Sequence, residues 1–262
     1  MILTRRVWFK NLALDQRDES IVIRSVDTGV PHESISSVNL MGGFGQRITS
    51  QHWETLDCSV AFAINKPKRD IAGRREVFDK VNTWARGTGW LRTSERDGKR
   101  MYVDKVIMPD SGDLWDWTRE YTIVFRAYNV PFWQDITNTN TSGNINAGTG
   151  SITLQANGTV QTVLNCTIQN LGSGTMDTFS ITVNGNTISL SDIGLEQYDS
   201  MYIQHDDSGL LKITKGPVIV SIYDKRSADS ADDLYLNPGD NTISITTPTR
   251  IAVACQAYGR YL

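Results

Sequence analysis

One stretch of helical period stands in a chain that otherwise alternates apolar and polar residues, and that imbalance constrains the fold more than any motif. Successive side chains on a strand point to opposite faces, whereas a helix returns to one face every ~3.6 residues. Glu54, Leu56, Cys58, Val60, Phe62 and Ile64 form one alternating set with His52 as its polar start, and Thr55, Asp57 and Ser59 point the other way. This predicts a half-buried strand. A second long strand is predicted over residues 114–128. Trp115, Trp117, Tyr121, Ile123, Phe125 and Ala127 share one face of it, and Asp116, Thr118, Glu120, Thr122 and Arg126 the other, with Val124 the apolar exception. Between these strands Pro67 can open a helix over 68–86, in which Ile71, Phe78, Val81, Trp84 and Ala85 recur on one face until Gly87 and Gly89 stop it. Lys68, Arg69, Arg75, Glu76, Asp79, Lys80 and Asn82 take its other face. A lone amphipathic helix must cover a sheet.

The later part of the chain has no helical period. Val160, Thr162, Leu164, Cys166 and Ile168 alternate, as do Phe179, Ile181 and Val183, and Asn184-Gly185 turns the chain into Ile188 and Leu190. Further runs at 201–203, 210–213, 218–223, 234–236, 242–246 and 251–258 bring the total to about nine short strands, the pattern of an antiparallel sandwich. Composition separates the two parts. All seven tryptophans lie at or before Trp133, and residues 137–150 are almost wholly Thr, Asn, Ser and Gly, which reads as a linker or an opening loop. Residues 1–133 carry 20 basic and 17 acidic side chains, whereas 134–262 carry 6 and 12. With 262 residues in all, the expectation is two domains, 1–133 and 134–262.

Asp97-Gly98 sits at the centre of residues 91–103 and signals a two-residue hairpin turn. Arg92, Glu95, Arg96, Lys99 and Arg100 crowd its tip and leave little apolar to pack at home. Such a hairpin is expected to project, either waving in solvent or reaching a neighbour.

Chemistry-bearing constellations are missing. The three histidines, His32, His52 and His205, have no partner at ligand spacing, and no HExxH, GxSxG or P-loop occurs. The glycine-rich run 41–45 lacks a following lysine and reads as a loop. Asp206-Asp207 and Asp229, Asp232 and Asp233 are expected in solvated turns, lacking EF-hand spacing. Cys58, Cys166 and Cys255 are widely separated, odd in number and set among apolar or small neighbours, so buried thiols in a reducing compartment are expected. No catalytic site, metal site or cofactor is expected, and the chain is not expected to be an enzyme. Neither part is basic enough for a nucleic-acid surface. No long apolar run predicts a membrane span, and the charges at Arg5, Arg6 and Lys10 predict no cleaved leader. Tyr202, Tyr223 and Tyr235 are the candidates for the alternative reading, a carbohydrate-binding sandwich.

The order of parts carries a resemblance. Strands, a helix after Asn65-Lys66-Pro67, the Asp97-Gly98 hairpin, the run from Thr118 through Tyr128 and then Pro131-Phe132-Trp133 are similar to the distal tail protein family of long-tailed bacteriophages. Glu196-Gln197-Tyr198-Asp199-Ser200, followed by Leu234 through Ile243, resembles that family's galectin-like sandwich. The resemblance implies a mainly β protein: a tail-tube-like β-sandwich with one helix and a projecting hairpin, then a galectin-like antiparallel sandwich. It implies a homohexameric ring at the virion tail tip, assembled in the bacterial host cytoplasm. That ring would join the tail tube to receptor-binding or baseplate proteins, next to tail-associated hub and tape-measure proteins, with DNA only a passenger in its channel. The hairpin residues Arg92, Glu95, Arg96, Asp97, Gly98, Lys99 and Arg100 would then lie at subunit contacts, and Pro131, Phe132 and Trp133 at the inter-domain junction. A heterologous ring needs a projecting element on one side and a receiver on the other.

Overall fold

The computed structural model describes residues 5–31, 33–39, 46–67, 69–109, 120–216 and 220–262. The expected strand segment with Trp115 and Trp117, the glycine-rich run 41–45, His32 and Lys68 fall outside them. The chain divides into two units, Met1–Trp133 together with Leu262, and Gln134–Tyr261. It is mainly β.

In the first unit the strands are β1 (Val7–Phe9), β2 (Leu12–Ala13), β3 (Ile21–Asp27), β4 (Glu33–Asn39), β5 (Gln46–Trp53) and β6 (Leu56–Ile64). The helix α1 (Ile71–Ala85) follows, then β7 (Gly89–Thr93), β8 (Lys99–Val103), β9 (Lys105–Ile107) and β10 (Tyr121–Ala127). Neighbours run β2-β1-β7-β8 in one sheet and β3-β6-β10-β9 in a second, while β4 and β5 pair only with each other among the described residues. The alternation expected for β6 and β10 places Leu56, Cys58, Val60 and Phe62 inside, facing the same core as Tyr121, Ile123, Phe125 and Ala127. The run from His52 does not continue into β6, however. It breaks at Glu54 and Thr55, because β5 pairs with β4 while β6 pairs with β3 and β10, and the chain changes sheets there.

The helix begins at Ile71, four residues after Pro67, because Asp70 supplies its cap: the Gly73 N–H donates to Asp70 Oδ1 at 2.9 Å. A Cβ at position 73 would stand 2.3 Å from the Asp70 carboxylate, so a larger residue there would make the capping side chain shift. The helix buries Val77, Phe78, Val81, Trp84 and Ala85, and also Arg74. Trp84 packs edge-on against Phe9 of one sheet and Phe125 of the other, and its Nε1 donates to the Leu12 carbonyl at 2.9 Å. Phe78 contacts Tyr121. The helix therefore closes the side on which the two sheets meet, and Trp84→Ala would open a cavity costing about 3–5 kcal/mol.

In the second unit the strands after β11 (Trp133–Asp135), which straddles the division, are β12 (Thr139–Ile145), β13 (Gly148–Ala156), β14 (Thr162–Val163), β15 (Asn165–Asn170) and β16 (Phe179–Val183). They continue as β17 (Asn186–Leu190), β18 (Ser200–His205), β19 (Leu211–Lys215), β20 (Val220–Ser221), β21 (Tyr235–Leu236), β22 (Gly239–Thr247), β23 (Ile251–Ala257) and β24 (Arg260–Tyr261). One sheet has the order β12-β23-β15-β18-β19-β20 and another β13-β22-β16-β17, with β14 and β21 a separate pair. A single aliphatic core fills the space between them, including Ile168, Ile203 and Val253 from the first and Ile181, Ile243 and Ile245 from the second. The expected linker at 137–150 is instead a strand and the start of the next. β12 pairs with β23 over its whole length, buries only Ile145, and presents polar residues outward as an edge strand can. Asn184 and Gly185 both have positive φ, 50° and 82°, as a two-residue hairpin turn demands.

Candidate functional site

The charged hairpin is built into the body of the first unit. β7 lies between β1 and β8, with Val7 opposite Thr93 and Leu91 opposite Met101. Leu91, Thr93, Met101 and Val103 are buried. The expectation of a projecting arm is corrected by these inward residues: both edges of β7 are paired, and its apolar side chains have a core to enter. Nor is the turn a two-residue one. Residues Ser94–Arg96 form a 3₁₀ turn, and Asp97 has φ −58° against +72° for Gly98, where the tight hairpin turn needs both positive.

The charges at this turn are held locally. Glu95 pairs with Arg5 at 3.0 Å, and the backbone of Ser94 donates to the Arg6 carbonyl at 3.0 Å. Arg96 folds back so that its guanidinium covers the Trp133 ring at 5.6 Å, and Nη1 donates to the Leu262 carbonyl at 2.9 Å. Arg92 lies over Trp8 and Arg100 over Trp90, the latter at 3.9 Å. Arg92, Glu95, Asp97 and Gly98 remain exposed, while Arg96, Lys99 and Arg100 are half-buried. A longer hairpin, β4–β5, forms a two-stranded sheet of its own among the described residues. It carries Ile35 at 52% exposure, and Trp53 at its base packs edge-on against Phe132. Sequence reasoning missed β4, whose serines carry almost no apolar alternation.

Pro131, Phe132 and Trp133 are buried in the first unit, and Trp133 Nε1 donates to the Thr28 carbonyl at 3.0 Å. On the outer side of β6 and β10, Arg126 grips Asp57 through two bonds of 2.7 and 2.6 Å, which hold the guanidinium above its ordinary range. Asp18 accepts the Ser20 hydroxyl at 2.7 Å and the Ser20 N–H at 3.0 Å, with Lys80 beside it, and its pKa falls to about 2.

The residues weighed for other chemistry do not converge. Asp206 closes its own turn, accepting the Ser208 hydroxyl at 2.6 Å and the N–H groups of Ser208 and Leu210, and its pKa is likewise lowered to about 2, chiefly by that hydroxyl. Asp233 accepts the Leu234 N–H and contacts His205 Nε2 at 2.7 Å, while the exposed Asp232 pairs with Arg226. Among the described residues no three His, Cys, Asp or Glu side chains are grouped to hold a metal ion. Tyr202, Tyr223 and Tyr235 stand on three different elements: β18, the 3₁₀ turn after β20, and β21. No helix among the described residues is long and apolar enough to cross a membrane.

No protein-family model matches the chain, and no curated protein matches it by sequence. Among solved structures it is similar to the Dit protein of phage SPP1, described as a paradigm of the hub of the adsorption apparatus in phages infecting Gram-positive bacteria. The TM-score is 0.67 at 11% identity, over 98% of this chain and 99% of that one. The chain has the fold of that Dit protein. A baseplate structure of phage P2 in its activated conformation with Ca is also similar, with a TM-score of 0.47 at 8% identity over 97% of this chain and 98% of that one.

Proposed function

We propose that this protein is a non-catalytic hub of a phage tail tip. Six copies close into a ring that joins the tail tube to the adhesion apparatus and leaves a channel for DNA. The observation that carries this reading is the end-to-end correspondence with the SPP1 Dit fold, which takes in both units with almost nothing left over on either chain. The local geometry is compatible with a structural role, because the titratable groups with lowered pKa serve turns and surface pairs.

In this reading the clasp between copies is the β4–β5 hairpin, with the exposed residues Arg92, Glu95, Asp97 and Gly98 part of the receiving surface. A two-stranded ribbon whose strands pair only with each other among the described residues can add a neighbour along its edges without unfolding anything. Tail-tube, tape-measure and tail-associated hub proteins would flank the ring, and receptor-binding or baseplate proteins would dock on the second unit. Antibody labelling of intact virions by electron microscopy tests the assignment. Label at the tail tip is expected, and label confined to the head or absent from the particle overturns it.

A further inference from the structure

Cys166 on β15 and Cys255 on β23 stand directly opposite each other in an antiparallel ladder. Each is 1% exposed, and both are free thiols in the structure. Their neighbours reveal which kind of pair they form. The Leu171 N–H donates to the Arg250 carbonyl at 2.8 Å, and the ladder continues in unbroken register from Asn170 opposite Ile251 to Asn165 opposite Gln256. Hydrogen-bonded and non-hydrogen-bonded pairs alternate along such a ladder. Residues 171 and 250 form a hydrogen-bonded pair, so 166 and 255, an odd number of steps along, form a non-hydrogen-bonded one. Cα atoms in that position lie ~4.5 Å apart with their side chains closest, inside the range of roughly 4.4–6.8 Å that a disulfide spans. Cys58, in contrast, stands opposite Phe125 in the first unit.

We propose that Cys166 and Cys255 are a latent disulfide site, closed by exchange with a small-molecule disulfide such as glutathione disulfide. One cysteine thiolate attacks a glutathione sulfur. The glutathione S–S bond breaks, a mixed disulfide forms, and one glutathione leaves. The second cysteine thiolate then attacks the protein sulfur of the mixed disulfide and expels the other glutathione. Two protein thiols are oxidised, one glutathione disulfide is reduced to two thiols, and the leaving thiolates take up the protons that the cysteines lose. Burial, with the neighbouring thiol second, pushes the Cys166 thiol up, so the exchange belongs to the stage before β15 and β23 dock or to their transient opening. The bond would close a loop of about 90 residues and staple two adjacent strands of the six-stranded sheet.

The test unfolds the full chain in denaturant and refolds it in an oxidising mixture of reduced and oxidised glutathione. Remaining thiols are alkylated and the peptides mapped by mass spectrometry without reduction. The expected result is one internal bond joining the peptides of Cys166 and Cys255, with Cys58 alkylated. The melting temperature should rise by on the order of 10 °C and return when reductant is added. Soluble refolded protein with all three cysteines alkylated, or with a bond from Cys58 or between chains instead, overturns the proposal. Cys58→Ser, which leaves only the facing pair, repeats the measurement with mispairing removed.

Discussion

Two hairpins of the first unit differ in the opposite sense to their sequences. β7–β8 carries charge all around its turn, yet both edges of β7 are paired and Leu91, Met101 and Val103 point into the core. β4–β5 is rich in serine and carries little charge, yet its strands pair with nothing but each other among the described residues. Whether a hairpin stands out is therefore set by the pairing of its edges and by what its inward side chains can bury. Charge at the tip can be absorbed locally, here by Arg96 stacking on Trp133 and Glu95 pairing with Arg5.

Truncating the core side of the charged hairpin should have the largest effect. Met101→Ala is expected to cost about 2–5 kcal/mol in urea unfolding, and a loss near zero would mean that β8 is not part of the core. The body that β7–β8 belongs to should also be acid-sensitive through Asp18. Its carboxyl is held at about 2 in the folded state, below the ordinary ~3.9, so its stabilisation is complete above pH ~4 and is lost as pH falls through about 2. Asp18→Asn should remove about 2 kcal/mol at pH 7 and flatten the pH dependence of unfolding between 4 and 2. Arg96→Gln should cost about 1–2 kcal/mol, through the lost stacking on Trp133 and weakened bond to the Leu262 carbonyl; an unchanged midpoint would show that the turn is not tied down. The smallest effect belongs to the other hairpin: Ile35→Ser should change stability by less than about 0.5 kcal/mol, as measured by the same unfolding curves.

The same physics decides what was legible in the sequence. The inward faces of β6 and β10, the helical face from Phe78 to Ala85 and the Asn184-Gly185 turn were readable, since each is a local pattern satisfied locally. The buried Arg74 was not, because a charge on a helix reads as solvent-facing until its surroundings are known. Residues 137–150 looked like a linker because their own side chains carry no strand signal, and it is the apolar partner β23 that makes 139–145 a strand. The glycine at 98 was read with Asp97 as a tight turn, but pairing of β7 with β1 as far as Thr93 leaves room for a wider loop. The Cys166–Cys255 pair depends on a register between strands about 90 residues apart, which no spacing rule reaches.

The contrast between the hairpins is tested most directly by weighing assemblies. Glu33 and Trp53 face each other at the base of β4–β5, so residues 34–52 can be replaced by a short turn that keeps the contact with Phe132. Mass photometry of the intact chain should find a species about six times 29.2 kDa, and the shortened chain should remain single while melting at the same temperature. An intact chain that stays at 29.2 kDa at every concentration, or a shortened chain that still closes into the larger species, would contradict the account.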